Sequence, residues 1–149
     1  MDIGFILSLA KKSECTRRKY GAAVVDAEDR VISIGFNKRV GQCCNGTCVR
    51  DRLQAAHGTQ TEAGAEIHAE QAALLNWVYS PSAKTMYIAG LDDKGQLLKG
   101  FENRPCYVCA RMIAYVGFTW VYLPIDGDWQ AVNIFDIMEN WEQQWYPEN

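Results

Sequence analysis

Residues 67–89, IHAEQAALLNWVYSPSAKTMYIA, set the fold class. From about Ile67 to Tyr79 the stretch reads as a helix, stopped at Ser80-Pro81 because proline cannot continue the ladder. Thr85 to Ala89 is a short apolar run that reads as a strand, and Asp92-Asp93-Lys94-Gly95 turns the chain after it. The alternation recurs downstream. Pro105 opens a helix running to about Val116, Gly117 ends it, and Thr119 to Leu123 is another strand. Upstream, Ile3, Ile6, Leu7 and Ala10 at helical spacing predict an opening helix over about 2–13. Gly21 to Asp26 and Arg30 to Phe36 read as two strands of a hairpin, joined by the polar Ala27-Glu28-Asp29. The segment from Trp129 to Trp145, carrying Val132, Phe135, Ile137, Met138 and Trp141, reads as a closing helix. Strands separated by helices predict an α/β protein: a three-layer α/β/α fold around a central mixed sheet of about five strands.

At 149 residues, with 48% hydrophobic and 22% charged residues, the chain is expected to be one domain, 1–149, able to build its own core. Within it, 37–66 form a Cys-rich insert and 126–149 a C-terminal helical tail. A net charge of -3 argues against long nucleic acid as a partner, although a few local arginines can still hold one phosphate. The N-terminus has an early apolar run but no basic region before it, and no apolar stretch approaches the ~20 residues of a membrane span. A cytoplasmic location follows as the expectation, with no membrane partner. Thiols stay reduced there, so the six cysteines point to metal ligation.

Two short motifs carry the chemistry. His68-Ala69-Glu70 begins one predicted helix, and Pro105-Cys106-Tyr107-Val108-Cys109 begins the next. One imidazole and two thiolates are the three protein ligands of a catalytic zinc that keeps a fourth position for water. Cys106 and Cys109, three apart, share a helix face, and a first turn favours thiolate charge. Zinc brings its water's pKa to about 7, and Glu70, two residues past the His, can move protons between that water and a ring nitrogen. Alone, a C-x-x-C is often structural or redox, and an H-x-E occurs by chance. In this order, with Pro before the first Cys, they match the signature of zinc deaminases.

The chain resembles the cytidine and deoxycytidylate deaminase superfamily, most closely its deoxycytidylate branch, from about Lys12 to Pro124. The segment Cys15 to Val25 resembles the first strand and its basic approach, and Val31 to Asn37 the second strand. Cys106 to Ile113 resembles the last ligand helix. The resemblance implies that Asn37 contacts the substrate sugar and that Ala69 offers a backbone group to the base. It implies deamination of a cytosine nucleotide, dCMP to dUMP with release of ammonia, in a homo-oligomer. Two departures stand out: Lys38 follows Asn37 where the family usually has Gly, and Ala72 stands where it tends to have Asn. Gln71 beside it gives His-Ala-Glu-Gln, which also resembles nucleoside-level enzymes, so cytidine, cytosine or guanine are alternative substrates. A non-catalytic zinc-stabilised interaction module is the reading of another class.

In the insert, Cys43, Cys44, Cys48 and His57 are enough for a second, structural zinc, with Cys44, Cys48 and His57 the preferred ligands because adjacent cysteines do not readily face one ion. The alternative is small buried hydrophobes under a loop. Lys38, Arg39, Arg50 and Arg52 bracket the insert, and Arg50, with Arg104 before Pro105, is a candidate for a 5′-phosphate. Arg17, Arg18 and Lys19 are expected to cover the helix end before the first strand. The tryptophans of the tail are expected in core or subunit contacts rather than in base stacking.

Overall fold

The computed structural model describes residues 1–40, 49–56, 66–77 and 82–145. Helix α1 (Ile3–Ala10) starts at Asp2, whose carboxylate accepts the N–H of Gly4 at 3.0 Å and satisfies one of the first turn's orphan donors. Strands β1 (Lys19–Asp26) and β2 (Val31–Phe36) form the expected antiparallel hairpin. Its turn is closed by Asp26, whose carboxylate accepts the N–H of Glu28 and of Arg30 and the Arg30 guanidinium. The two-residue strands β3 (Lys38–Arg39) and β4 (Glu66–Ile67) pair and bring the ends of the insert together, with the short α2 (Val49–Arg52) between them.

The rest follows the alternation read from the sequence: α3 (Ala69–Asn76), β5 (Ala83–Leu91), a 3-10 turn (Gly100–Asn103), α4 (Tyr107–Tyr115) and β6 (Trp120–Ile125). The expectation for the tail needs correction. It is helical only from Ile134, as α5 (Ile134–Trp145), and Asp128–Asn133 form a strand, β7. The cause is Asp126-Gly127, both at positive φ (52° and 87°), which make a two-residue hairpin turn pairing Ile125 with Asp128. That turn supplies the fifth strand in a segment that reads as helix.

The sheet order is β2-β1-β5-β6-β7, with β5 and β6 parallel and every other neighbouring pair antiparallel, so the mixed five-stranded sheet is present. Alternate residues of the central strands feed two cores. Ala22, Val24, Met86 and Ile88 pack with α3, α4 and α5 through Ala73, Ile113 and Ile137. Ala23, Val25, Tyr87 and Ala89 pack with Ile6 and Leu9 of α1. A strand covered on both faces needs an unbroken apolar run, and 22–25 are that run. Two glycines set how closely the helices approach. A Cβ on Gly21 would lie 2.3 Å from the Ile6 carbonyl oxygen, and one on Gly35 would lie 2.3 Å from that of Ala69. The layers α1, sheet, and α3-α4-α5 are those expected. No helix among the described residues is long and apolar enough to cross a membrane.

Candidate active site

Two helix N-termini converge on one point. His68 is the N-cap of α3 and Cys106 the N-cap of α4, with Cys109 in the first turn of α4. The sequence decides both ends locally: Gln71 reaches back so that its side-chain oxygen accepts the His68 N–H at 2.9 Å, and Pro105 precedes the second cap. The residues before Cys106 are held from two sides. Asn103, fully buried, accepts the Gly90 N–H and donates to the Leu98 and Gly100 carbonyls. Trp141 of α5, also buried, donates its indole N–H to the Pro105 carbonyl at 2.9 Å.

The Nδ1 of His68 lies 3.5 Å from Cys106 Sγ and 3.3 Å from Cys109 Sγ. Tetrahedral zinc, with bonds of about 2.3 Å to sulfur and about 2.05 Å to nitrogen, requires a separation of about 3.6 Å between those atoms. The donor set therefore fits zinc in both chemistry and spacing. Among the described residues these three are the group whose donor atoms, within 4.8 Å of one another, could share an ion. The two thiols titrate as a pair. Cys106 is lowered to about 4, chiefly by the hydrogen bond from Cys109, with His68 adding to it against the effect of burial. Cys109, the donor of that bond, is pushed up. A thiol lowered in this way is disposed to ligate a metal as the thiolate, which a helix N-terminus also favours.

Glu70 is 4% exposed and lines the same cleft. Burial is the main cause that pushes its carboxyl up, and His68 opposes it. A buried carboxyl raised toward neutrality is suited to taking and returning a proton. Ala69, fully buried in the first turn of α3, lines the cleft beside it. Asn37 lines it as well, with its amide already fixed: Oδ1 accepts the Tyr20 N–H at 2.7 Å and Nδ2 donates to the Arg18 carbonyl at 2.9 Å.

The cleft, an open volume of about 550 Å³ counting its mouth, also takes in Arg50 and Arg104. The other basic residues of the insert are elsewhere. Lys38 and Arg52 are exposed, and Arg39 pairs with Glu14 at 3.2 Å. Cys43, Cys44, Cys48 and His57 lie outside the described residues. The expectation for Arg17 and Arg18 is corrected, because both line the cleft rather than simply covering the end of α1. Arg17 donates to the Ala55 carbonyl, and Arg18 faces Glu102. Cys15, Tyr20 and Glu66 line it too, and their residue types carry no signal of it in the sequence. The tail tryptophans are structural, as expected. Trp141 is buried, and Trp129 packs edge-on against Tyr87 with ring centroids 4.8 Å apart.

Residues 5–124 match the family model described as the cytidine and deoxycytidylate deaminase zinc-binding region. Among solved structures, the chain is similar to the cytidine deaminase of Mycobacterium tuberculosis, at 17% identity and a TM-score of 0.54 over 90% of this chain and 88% of that one. It is also similar to the dCMP deaminase of the cyanophage S-TIM5 in apo form, at 20% identity and a TM-score of 0.53 over 94% of each chain. The same cyanophage enzyme in complex with dCMP and dUMP gives a TM-score of 0.52 at 19% identity, over 92% of this chain and 86% of that one. At these identities the structural likeness is one of fold. No protein curated for function matches the chain by sequence.

Proposed function

This chain belongs to the cytidine and deoxycytidylate deaminase family, and from that premise we propose that it hydrolyses the exocyclic amino group of a cytosine nucleotide, dCMP to dUMP, releasing ammonia. The observation that carries the reading is the cleft itself. It joins the His68-Cys106-Cys109 donor set and a buried Glu70 to arginines, on a chain whose net charge is -3. Arginines gathered where the metal donors lie, on an acidic protein, suit a small substrate carrying one anionic group.

Zinc held by His68, Cys106 and Cys109 supplies the Lewis acidity that makes water nucleophilic at neutral pH. Glu70 takes the proton of the attacking water and delivers it to N3 of the base as the oxygen bonds to C4. It then takes the proton of the new C4 hydroxyl and hands it to the amino nitrogen. The C4–N bond breaks, ammonia leaves and the C4 carbonyl forms, with Glu70 ionised again. The Ala69 backbone contacts the base, and Asn37, pinned between Tyr20 and Arg18, holds the sugar. Burial of Glu70 excludes bulk water from this exchange.

The second reading is a nucleoside-level cytidine deaminase, favoured by the likeness to the mycobacterial fold and by Gln71 beside Glu70. Ammonia release across dCMP, CMP, deoxycytidine, cytidine, cytosine and guanine tests both. Preference for a phosphorylated cytosine supports the proposal, and preference for the unphosphorylated nucleoside overturns it. No turnover of any amino-nucleobase returns the chain to a zinc-stabilised interaction module. A second zinc on Cys44, Cys48 and His57 rests on their ligand chemistry. Metal analysis tests it: two zinc ions per chain support it, and one removes it. We place the protein in the cytoplasm as one domain and as a homo-oligomer, the last supported by Leu75 and Tyr115, exposed at 70% and 92% on α3 and α4. Light scattering tests the oligomer.

A further inference from the structure

Among the described residues, two arginines of the cleft each carry a buried side-chain N–H without a hydrogen-bond partner. The donors are Nη1 of Arg18 and Nε of Arg104. A buried guanidinium N–H left unpaired costs the desolvation of a charged donor. Two guanidiniums that line one cleft with donors unsatisfied suit an anion that accepts from both.

Each arginine is also held by its other atoms. Arg104 lies over the ring of Trp141, 3.9 Å from its centroid, and its Nη1 donates to the Phe101 carbonyl at 3.0 Å. Arg18 places Nη2 3.4 Å from a Glu102 carboxylate oxygen. The contacts on the outer atoms fix the planes of the forks and leave Nη1 of one and Nε of the other for a ligand. Planar, pre-oriented forks suit a phosphate, whose oxygens accept several N–H groups at once.

We propose that Arg18 and Arg104 together seat the 5′-phosphate of the substrate and set the preference for nucleotide over nucleoside. This rests on the deaminase reading above. It replaces the insert cluster by a pair built into the entrance of β1 and the segment before α4, with Glu102 and Trp141 as positioning residues. Arg50 also lines the cleft but carries no such unsatisfied donor.

The test is kcat/KM for dCMP and for deoxycytidine, measured on the zinc-loaded wild type and on Arg18→Gln, Arg18→Lys, Arg104→Lys and Arg52→Gln. Loss of a charge-assisted bond predicts that the dCMP to deoxycytidine ratio falls about 10- to 100-fold in Arg18→Gln. Arg18→Lys and Arg104→Lys keep the charge but lose the fork, and the ratio falls less. Arg52, exposed on α2, is the control, and its variant keeps the wild-type ratio. Zinc content and the thermal midpoint identify any variant that fails to fold, and the two lysine variants keep the question open if the glutamine one does. A wild-type ratio in folded Arg18 and Arg104 variants, or a collapsed ratio in Arg52→Gln, overturns the pair while leaving the nucleotide reading intact. A wild type that prefers deoxycytidine overturns both.

Discussion

Replacing Gly35 by alanine tests whether the position of α3, and through it the catalytic group, is set by contact with β2. The added Cβ would lie 2.3 Å from the Ala69 carbonyl oxygen and 2.4 Å from the Ala73 nitrogen, both backbone atoms of α3. Ordinary contact begins near 3.4 Å, so helix and strand must part by about 1 Å, and no side-chain rotation relieves a clash with backbone. Ala69 is followed by Glu70 and preceded by His68, so the shift falls on the proton shuttle and on one metal donor. Overpacking of this kind costs about 1–3 kcal/mol of stability. A misplacement of about 1 Å at the reacting centre costs about 100-fold in turnover. The assay is kcat/KM for dCMP beside a thermal melt and a zinc determination on the same preparations. Gly95→Ala is the comparison. Gly95 sits in a turn at φ 78° with nothing near the added carbon, so strain lowers stability there with turnover kept. If Gly35→Ala melts lower but retains the wild-type kcat/KM, the close approach of α3 to β2 does not position Glu70.

Three further outcomes are expected. Glu70→Gln keeps the shape of a buried side chain but cannot take a proton, so kcat falls by about 100- to 10,000-fold while zinc content and fold are retained. Chelation of the metal both stops turnover and lowers the thermal midpoint, because the ligands tie the starts of α3 and α4 together; re-addition of zinc restores both. Asp26 is held below the usual carboxylate range, first by the Arg30 backbone N–H and then by its guanidinium, against burial. A carboxyl depressed in the folded state contributes stability above its unfolded pKa of about 4 and loses it as pH falls through the folded value. Asp26→Asn therefore melts lower than wild type at neutral pH, with the gap narrowing on acidification. A constant gap from pH 7 to pH 3 refutes the assignment.

Much of this was legible because periodicity and punctuation agree. Gly117 and the apolar run 22–25 mark a helix end and a buried strand without reference to anything distant. The metal donors were legible too, since a His and a C-x-x-C at two helix starts leave little freedom in how they meet. The hidden parts depend on long-range partners. β7 is the exception: its signal is local, the Asp126-Gly127 dipeptide of a two-residue hairpin turn, and the apolar residues of 129–145, compatible with a helix, mask it. The place of Arg18 in the cleft is hidden because its partner Glu102 and its fellow lining residue Arg104 are more than eighty residues away in sequence. Asn103 gives no sequence signal beyond its type, although its side chain ties β5 to the segment before α4.

The two-faced burial of β1 has a consequence for how the hairpin finds its alignment. Because 22–25 are apolar on both sides, a slip of one residue would exchange the two cores at little loss of buried surface, so the hydrophobic pattern is a weak guide to register. Gly21 is the stronger one. Any residue slipped into its place, Tyr20 or Ala22, would drive a side chain into the backbone of α1, 2.3 Å from the Ile6 carbonyl oxygen. A steric gap, rather than a favourable contact, then rejects the misaligned hairpin as α1 packs onto it.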